Sequence, residues 1–171
     1  MTMKRVLTFC AALLTIGLGG GQAAEVKGKV LDYGIVRLPA GQRTIRTPET
    51  PSGVTHIPDS PPTITTTTNR IPARLGLAFG VVFEISNLPA TNGEQVEVTI
   101  VISHPEATKP DGSVSRGFSQ TSKCPVENGT TVLIPSCKFD HEYELAPGIW
   151  KFEVRYAGKA MARQEFTVFR E

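Results

Sequence analysis

The sequence lacks the side-chain patterns on which most enzymes depend. Its three histidines are His56, His104 and His141, and no two of them stand at a metal-binding spacing. It has no nucleophile elbow, phosphate-binding glycine loop or dinucleotide fingerprint. These absences predict a protein without catalytic residues, metal or cofactor. A copper or zinc site, or a pair of hydrolase carboxylates, assembled from distant strands stays open as an alternative.

Net charge is also absent once the first residues are set aside. The whole chain has 18 basic and 16 acidic residues, and Lys4 and Arg5 account for the difference. A neutral chain without a basic cluster has little to attract a phosphate backbone or an anionic lipid surface. We therefore expect no nucleic-acid partner and no binding to membrane surfaces.

Long apolar runs are missing too, apart from a short one near the start. Val6–Leu18 is apolar, follows two basic residues, and precedes Gly19–Ala24, which is rich in small residues. This layout is typical of a secretory signal, and the run is shorter than the roughly 20 apolar residues of a membrane span. The pattern predicts a signal peptide over 1–24, a single domain over 25–171, a periplasmic or secreted location and no membrane span.

Cysteine is scarce, and its few positions are informative. Of three cysteines, Cys10 lies in the predicted signal, which leaves Cys124 and Cys137. Two cysteines in an oxidising compartment most simply form one disulfide. Their spacing is neither Cys-x-x-Cys nor a zinc pattern, so a structural disulfide is favoured over a redox or metal-binding pair.

Helical periodicity is nearly absent, and strand alternation takes its place. Trp150, Phe152 and Val154 alternate with charged residues, which predicts one half-buried strand of a terminal β-hairpin. Another strand places Phe79 and Phe83 on a continuous apolar face. We expect these five side chains to form the core of an all-β antiparallel sandwich.

One turn signal stands between two of the predicted strands. Asn92-Gly93 separates the strand carrying Phe79 from the half-buried strand Gln95–Ser103. Asn-Gly is the strongest two-residue signal for a β-hairpin. The sequence therefore predicts that these two strands pair with each other.

Proline is concentrated in Pro39–Pro62, which holds six of the 13 prolines. So many missing amide donors oppose a central strand, and the stretch is predicted to be a long surface loop with at most one edge piece. Thr63–Ile71 returns to β-favouring but polar residues. That composition predicts an edge strand.

Several groups of residues stand out together: Leu31–Ile35, Phe79–Ile85, His104-Pro105 with Asp111-Gly112, and Tyr143–Trp150 with Phe166–Val168. These segments resemble a small bacterial family known only as a domain of unknown function. The resemblance implies an exported, immunoglobulin-like β-sandwich. It implies no activity and no catalytic residues.

Export, neutral charge and the lack of catalytic spacing predict a non-enzymatic module that binds a protein or a cell-envelope component. A polar edge strand after a long loop can receive a partner by strand addition, so contact is expected between Pro39 and Ile71. The competing interpretation is a binder of a small ligand or a metal. A hydrolase with a cryptic site is the third.

Overall fold

The computed structural model describes residues 24–47, 50 and 53–170, so the predicted signal peptide lies outside them except for Ala24. Over these residues the regular structure is twelve strands and one short 3₁₀ helix, Glu142–Glu144. The strands are β1 Lys27–Arg37, β2 Gln42–Arg46, β3 Val54–Pro58, β4 Thr63–Thr67, β5 Arg70–Pro72, β6 Ala78–Ser86, β7 Gln95–Thr108, β8 Val114–Pro125, β9 Thr131–Leu133, β10 Ser136–Lys138, β11 Gly148–Tyr156 and β12 Lys159–Phe169. No helix in this part of the chain is long and apolar enough to cross a membrane.

Ten of these strands form two large sheets that pack against a common core. One sheet has the order β10-β6-β1-β4, with β9 also paired to β6, and the other has the order β5-β12-β11-β7-β8. The pairs are antiparallel except β5 with β12, which run parallel. The prediction of an all-β sandwich is confirmed.

An aromatic cluster joins the two sheets. The ring centroid of Phe79 on β6 lies 5.5 Å from that of Trp150, 5.6 Å from that of Phe152 and 5.2 Å from that of Phe166, each in an edge-to-face arrangement. Such pairs contribute about 0.5–1.5 kcal/mol beyond the burial of their area. All five side chains expected in the core are buried: Phe79, Phe83, Phe152, Val154 and Trp150.

The terminal hairpin β11–β12 follows the predicted alternation. Its turn is Ala157-Gly158, and both residues have positive φ, 48° and 78°. Two consecutive left-handed residues are the mark of the tight turn that matches the twist of paired strands. Glu153 departs from the pattern, because it lies on the predicted solvent face and is nevertheless only 7% exposed.

The proline-rich stretch contains a hairpin that the sequence did not predict. β2 and β3 pair with each other in a two-stranded sheet that is separate from both large sheets. The prolines permit this because they stand outside the strands, apart from Pro58 at the last position of β3. A missing amide donor at a strand end interrupts no further pairing. The long loop is therefore restricted to the segments that flank this hairpin.

The predicted hairpin at Asn92-Gly93 is wrong. β6 and β7 belong to different sheets, so the chain crosses the core at this turn. Gly93 has the positive φ that the turn requires, 85°. The Asn92 side chain accepts a hydrogen bond from the backbone N–H of Asn128 (2.6 Å), which ties the crossing to a second turn. The local signal located a turn but not the partner of the strand that follows it.

Candidate functional site

The two sheets are open along one side. β8 is the last strand of one sheet, and β9 and β10 are the last strands of the other. A cavity of about 350 Å³ lies at this open side. Its volume falls within the roughly 300–1,000 Å³ of sites that hold small molecules.

Apolar side chains form most of the cavity wall. The alternation of β7 directs Val98, Ile100 and Ile102 inward, while Glu97 on the opposite face is exposed. Further large apolar residues of the wall come from β8, from the segment around β9 and β10, and from the aromatic core: Phe118, Leu133, Ile134, Phe139 and Trp150. The site is thus an apolar cleft that is continuous with the core.

The β2–β3 hairpin covers this cleft. Val54, Thr55 and Ile57 of β3 contribute to the wall, and so do Leu38 and Pro62, which flank the hairpin. Because neither strand of the hairpin pairs with a strand of the large sheets in the described structure, side-chain contacts connect it to the cleft.

Hydrogen bonds close the hairpin at its base and tether its far end. At the base, the N–H of Asp59 donates to Gly41 O (3.0 Å). At the far end, the Thr50 hydroxyl donates to Thr47 O (2.9 Å), and Lys109 Nζ donates to Thr50 O (3.0 Å). The ammonium of Lys109, which follows β7, thereby links the hairpin to the other side of the cleft.

Charged side chains gather at one part of the cleft. Lys138 Nζ lies 2.6 Å from Asp140 Oδ1. Glu144 Oε2 accepts the backbone N–H groups of Asp140 (2.7 Å) and His141 (2.8 Å). Burial raises the pKa of the Glu144 carboxyl, and the two backbone hydrogen bonds oppose that rise.

Residues 140–142 do not continue β10, which ends at Lys138. Glu142 begins the 3₁₀ helix that Glu144 ends, and His141 precedes it with its ring stacked on Tyr143 at 5.1 Å between centroids. The carboxylate of Glu144 binds the amides of the preceding residues, which favours a tight turn over a strand.

The two remaining cysteines both line the cleft, from opposite sheets. Cys124 lies on β8 and Cys137 on β10, and both are free thiols in the structure. The predicted disulfide is therefore not present here and stays a prediction. Burial raises the pKa of Cys124, and burial together with the nearby Glu144 carboxylate raises that of Cys137 to about 12. Since the thiolate is the reactive species, neither sulfur is activated for nucleophilic attack.

The histidines do not form a metal site within the described residues. His104 is 6% exposed, and its ring stacks on Trp150 at 4.6 Å between centroids. Its Nδ1 donates to Pro105 O (2.7 Å), and its Nε2 accepts from the Ser115 hydroxyl (3.2 Å). Burial lowers the pKa of His104, so the neutral ring is favoured. His56 lies on β3, and this part of the chain holds no group of three His, Cys, Asp or Glu residues suited to a metal.

Residues 25–168 match the sequence profile of a domain of unknown function, DUF3859. The chain belongs to this family. A solved immunoglobulin-like protein from Pseudomonas aeruginosa aligns with this DUF3859 domain at a TM-score of 0.58 and 21% identity, covering 87% of this chain and 100% of that one. The immunoglobulin-like fold is confirmed.

Other alignments reach parts of much larger enzymes. One is the alkylpurine DNA glycosylase AlkC of Pseudomonas fluorescens, at a TM-score of 0.40 and 17% identity over 61% of this chain and 28% of the other. Another is a β-glucosidase from Listeria innocua, at 0.40 and 14% over 61% and 15%. The DUF3859 domain spans only a minor part of either enzyme, and likeness at this level supports no inference. No curated protein matches the chain.

The polar residues of the cleft were not found from the sequence. Gln120 and Ser122 on β8 and Ser136 on β10 line the cavity of this DUF3859 domain, and none of their side chains has a hydrogen-bond partner among the residues that the structure covers. β8 carries a weak polar alternation, and nothing in it distinguishes a cleft-lining residue from a solvated one. No sequence signal could therefore have singled them out.

Proposed function

We propose that this DUF3859 domain is an exported, non-enzymatic module that binds a protein or a cell-envelope component through its β2–β3 hairpin and the adjoining edge of β4. The observation that carries the proposal is the separate hairpin sheet. It leaves the sandwich at Leu38 and returns at Pro62, directly before β4. A projecting two-stranded sheet followed by a free edge offers a contiguous backbone surface to a partner.

The exposed face of β2 supports this interpretation. Arg43, Ile45 and Arg46 are exposed, and Ile45 has 37% of its surface accessible. Neither arginine has an acidic partner among the described side chains. Arginine beside an apolar residue is a common composition of binding surfaces, and unpaired guanidinium groups favour a partner that presents carboxylates or phosphates.

The edge of β4 is less protected against the addition of a partner strand than the edge of β8. β4 has an exposed, threonine-rich sequence without charge or proline, and its irregularity is a bulge at Thr65, whose hydroxyl donates to Ile35 O (3.2 Å). β8, the edge strand beside the cleft, carries Arg116 and Lys123 and ends at Pro125. Charges and proline discourage strand addition, so β4 is the edge at which a partner strand is expected.

Hairpin excision tests the positional part of the proposal. Replacing Gly41–Asp59 by a short Gly-Ser linker preserves the chain path, because the two ends of this segment are hydrogen-bonded to each other. In a crosslinked pull-down from the native envelope, we expect the wild-type protein to capture a specific partner and the excised variant to lose it. Equal capture by a folded excised variant would remove the hairpin from the proposal.

Edge-blocking substitutions separate the two long edges. Thr66→Lys places one charge on β4, and Ser119→Lys places the same charge on β8 as a matched control. Both residues are exposed. Partner capture should fall at least ten-fold with the β4 variant and persist with the β8 variant. The reverse result would transfer the contact to β8.

Export requires its own test. The layout of residues 1–24, with two basic residues, a short apolar run and a small-residue segment, supports export. In a bacterial host, the full chain should appear outside the cytosol, with the mass of a cleaved protein whose first residue is near Ala24 or Glu25. A protein expressed from residue 25 onwards should stay in the cytosol. An uncleaved full-length protein in the cytosol would refute export, whatever the result of the pull-down.

A further inference from the structure

The cleft has the size of a site for a small molecule. A dry engineered cavity of about 150 Å³ binds benzene, and the present cavity has about 350 Å³. A cavity of this volume accommodates a ligand with about two fused rings. The cleft is therefore large enough for a small molecule and too small for a folded partner.

The wall of the cleft selects an apolar body. Ile100 and Phe118 from one sheet and Leu133 from the other face the cavity and remain half-buried, although they pack against the core. Covering apolar surface of this kind contributes about 25 cal/mol for each Å² removed from water. An apolar ligand would complete the burial that the open side leaves unfinished.

Three neutral polar side chains give that body an orientation. Gln120 and Ser122 of β8 and Ser136 of β10 reach the cavity without a hydrogen-bond partner in the described structure. An amide and two hydroxyl groups offer both donors and acceptors. A few convergent polar groups in an apolar wall are the usual means by which a pocket recognises one part of its ligand.

The charges near the cleft are already compensated. Lys138 and Asp140 form an ion pair with 2.6 Å between Nζ and Oδ1, and Glu144 Oε2 accepts two backbone N–H groups. Among the described residues, Glu144 is the one wall carboxylate without an ion-pair partner, and two backbone N–H groups already bind it. An ammonium group entering this apolar site would therefore lose its hydration for little compensation, and a carboxylate for none. The site therefore discriminates against charged ligands.

We propose that the cleft between β8 and β10 binds one uncharged small molecule that has an apolar body and a neutral hydrogen-bonding group. The proposal does not depend on partner binding at the hairpin and β4. The ligand would lie beneath the hairpin, in contact with Trp150 at the inner wall.

The first test compares head groups on one ring system. 2-Naphthol, 2-naphthoate and 2-naphthylmethylammonium share a naphthalene body and are respectively neutral, negative and positive at pH 7. Titration calorimetry of the mature chain should show saturable one-to-one binding of the naphthol, at least ten-fold tighter than either ion. Absence of saturable binding, or an ion that binds as tightly as the naphthol, overturns the proposal.

The second test places the bound probe in the cleft. Gln120→Trp fills the cavity from β8, and Ser119→Trp adds the same bulk to the exposed opposite face of the same strand. The first variant should weaken naphthol binding at least ten-fold, and the second should change it by less than two-fold. Equal loss, or no loss in either variant, would show that the probe binds elsewhere.

A conservative substitution covers the case in which Gln120→Trp does not fold. Gln120→Leu keeps nearly the same volume and removes the amide. It should weaken 2-naphthol several-fold and leave unsubstituted naphthalene unchanged. If the substitution changes the affinities for 2-naphthol and naphthalene equally, the Gln120 amide does not recognise the hydroxyl group and this part of the proposal is wrong. Because naphthol titration needs no partner, it gives the same answer whether or not the pull-down succeeds.

Discussion

The two hairpins of this domain use the same local structure in opposite ways. β11–β12 forms the centre of a large sheet, and its inward side chains Trp150, Phe152 and Phe166 are almost wholly buried. β2–β3 forms a sheet of its own, in which Arg43–Arg46 is exposed. The first hairpin holds the two sheets together, whereas the second covers a cleft. Strand pairing alone therefore says little about how much a hairpin contributes to stability, which depends mainly on the apolar surface that it buries.

The largest effect is expected in the terminal hairpin. Trp150 is 3% exposed, and its Nε1–H donates to Ala146 O (3.0 Å). Trp150→Ala should lower the free energy of unfolding by about 3–5 kcal/mol, because it leaves a cavity among the core rings. Urea unfolding followed by far-ultraviolet circular dichroism measures the change. Ile149→Ala, at a position that is 45% exposed, is the matched control and should lie within about 0.5 kcal/mol of wild type.

Oxidation is expected to stabilise the cleft side. If Cys124 and Cys137 form the predicted disulfide, the segment that it closes is similar in length to a loop of about 15 residues. For such a loop, the lost chain entropy of the unfolded state stabilises the fold by about 3 kcal/mol. The oxidised protein should be two hydrogen masses lighter and should unfold at higher urea than the reduced protein. Two thiols that remain reactive towards a maleimide after unfolding of the oxidised sample would contradict the disulfide.

The turn of the terminal hairpin carries strain that one substitution can relieve. Ala157 has φ of 48°, a left-handed conformation that costs a residue with a Cβ about 1–2 kcal/mol. Asparagine tolerates this conformation better, and Asn-Gly is the preferred pair for such a turn. Ala157→Asn should raise the free energy of unfolding by about 0.5–1 kcal/mol in the same urea experiment. A loss of stability would show that the Ala157 methyl group makes a favourable contact.

Two glutamates should give the two regions opposite dependences on pH. Hydrogen bonds from Arg163 (2.7 Å) and Arg155 (2.6 Å) lower the pKa of Glu153 below 4.5. The ionised carboxylate therefore contributes fully to the free energy of unfolding above pH 4.5, and this contribution is lost as the pH falls through the lowered pKa. Burial raises the pKa of Glu144 above 4.5, so the protonated carboxyl is the form that favours folding. Its contribution to the free energy of unfolding is present below pH 4.5 and is lost as the pH rises through the raised pKa.

Stability measured against pH for two variants tests this contrast. The difference in the free energy of unfolding between wild type and Glu153→Gln should shrink towards low pH. It should stay below about 1 kcal/mol, because the side chains of Arg155 and Arg163 are exposed and water screens the ion pairs. Wild type and Glu144→Gln should be similarly stable at low pH, where the Glu144 carboxyl is protonated, and wild type should become the less stable of the two as the pH rises towards neutral. Parallel curves for the two variants would contradict the assigned environments.

Hairpin excision should have the smallest effect on stability. Replacing Gly41–Asp59 by a linker removes a hairpin in which Arg43–Arg46 is exposed and Val54 and Ile57 are only half-buried, so little apolar burial is lost and we expect a change below about 1 kcal/mol. The urea midpoint of the excised variant measures it, with Trp150→Ala as the reference for a hairpin that does carry the core. A loss comparable with that of Trp150→Ala would abolish the distinction between the two hairpins.

The parts of the fold that could be predicted from the sequence are those where local pattern and burial agree. Phe79, Phe83 and Phe152 stand at every second position of apolar runs, and the core indeed receives them. The Asn92-Gly93 signal failed because a turn residue determines only local geometry, whereas the partner of a strand depends on the packing of the whole sandwich. The β2–β3 hairpin was missed because proline was counted over the segment instead of by position.

The candidate site was much less predictable. Its wall combines residues from β3, β7, β8 and β10, which are far apart in the sequence and meet only because of the sheet order. Gln120 and Ser136 stand in polar strands that a pattern cannot tell from solvated edges. Burial of Glu153 was missed for a related reason, since Arg163 reaches it from the neighbouring strand. Cys124, Cys137 and Trp150 were singled out from the sequence for structural reasons, and all three line the cleft.

The parallel pairing of β5 with β12 has a consequence for the time at which the domain can fold. Arg70–Pro72 is made early in synthesis, yet its hydrogen-bonding partners are Thr167–Phe169 near the end of the chain. β12 also separates β5 from the other strands of its sheet. That sheet cannot be completed before β12 has been made, and such non-local pairing is slow. Until then, β5 has no place in its sheet, and the strand made first must wait for one made much later.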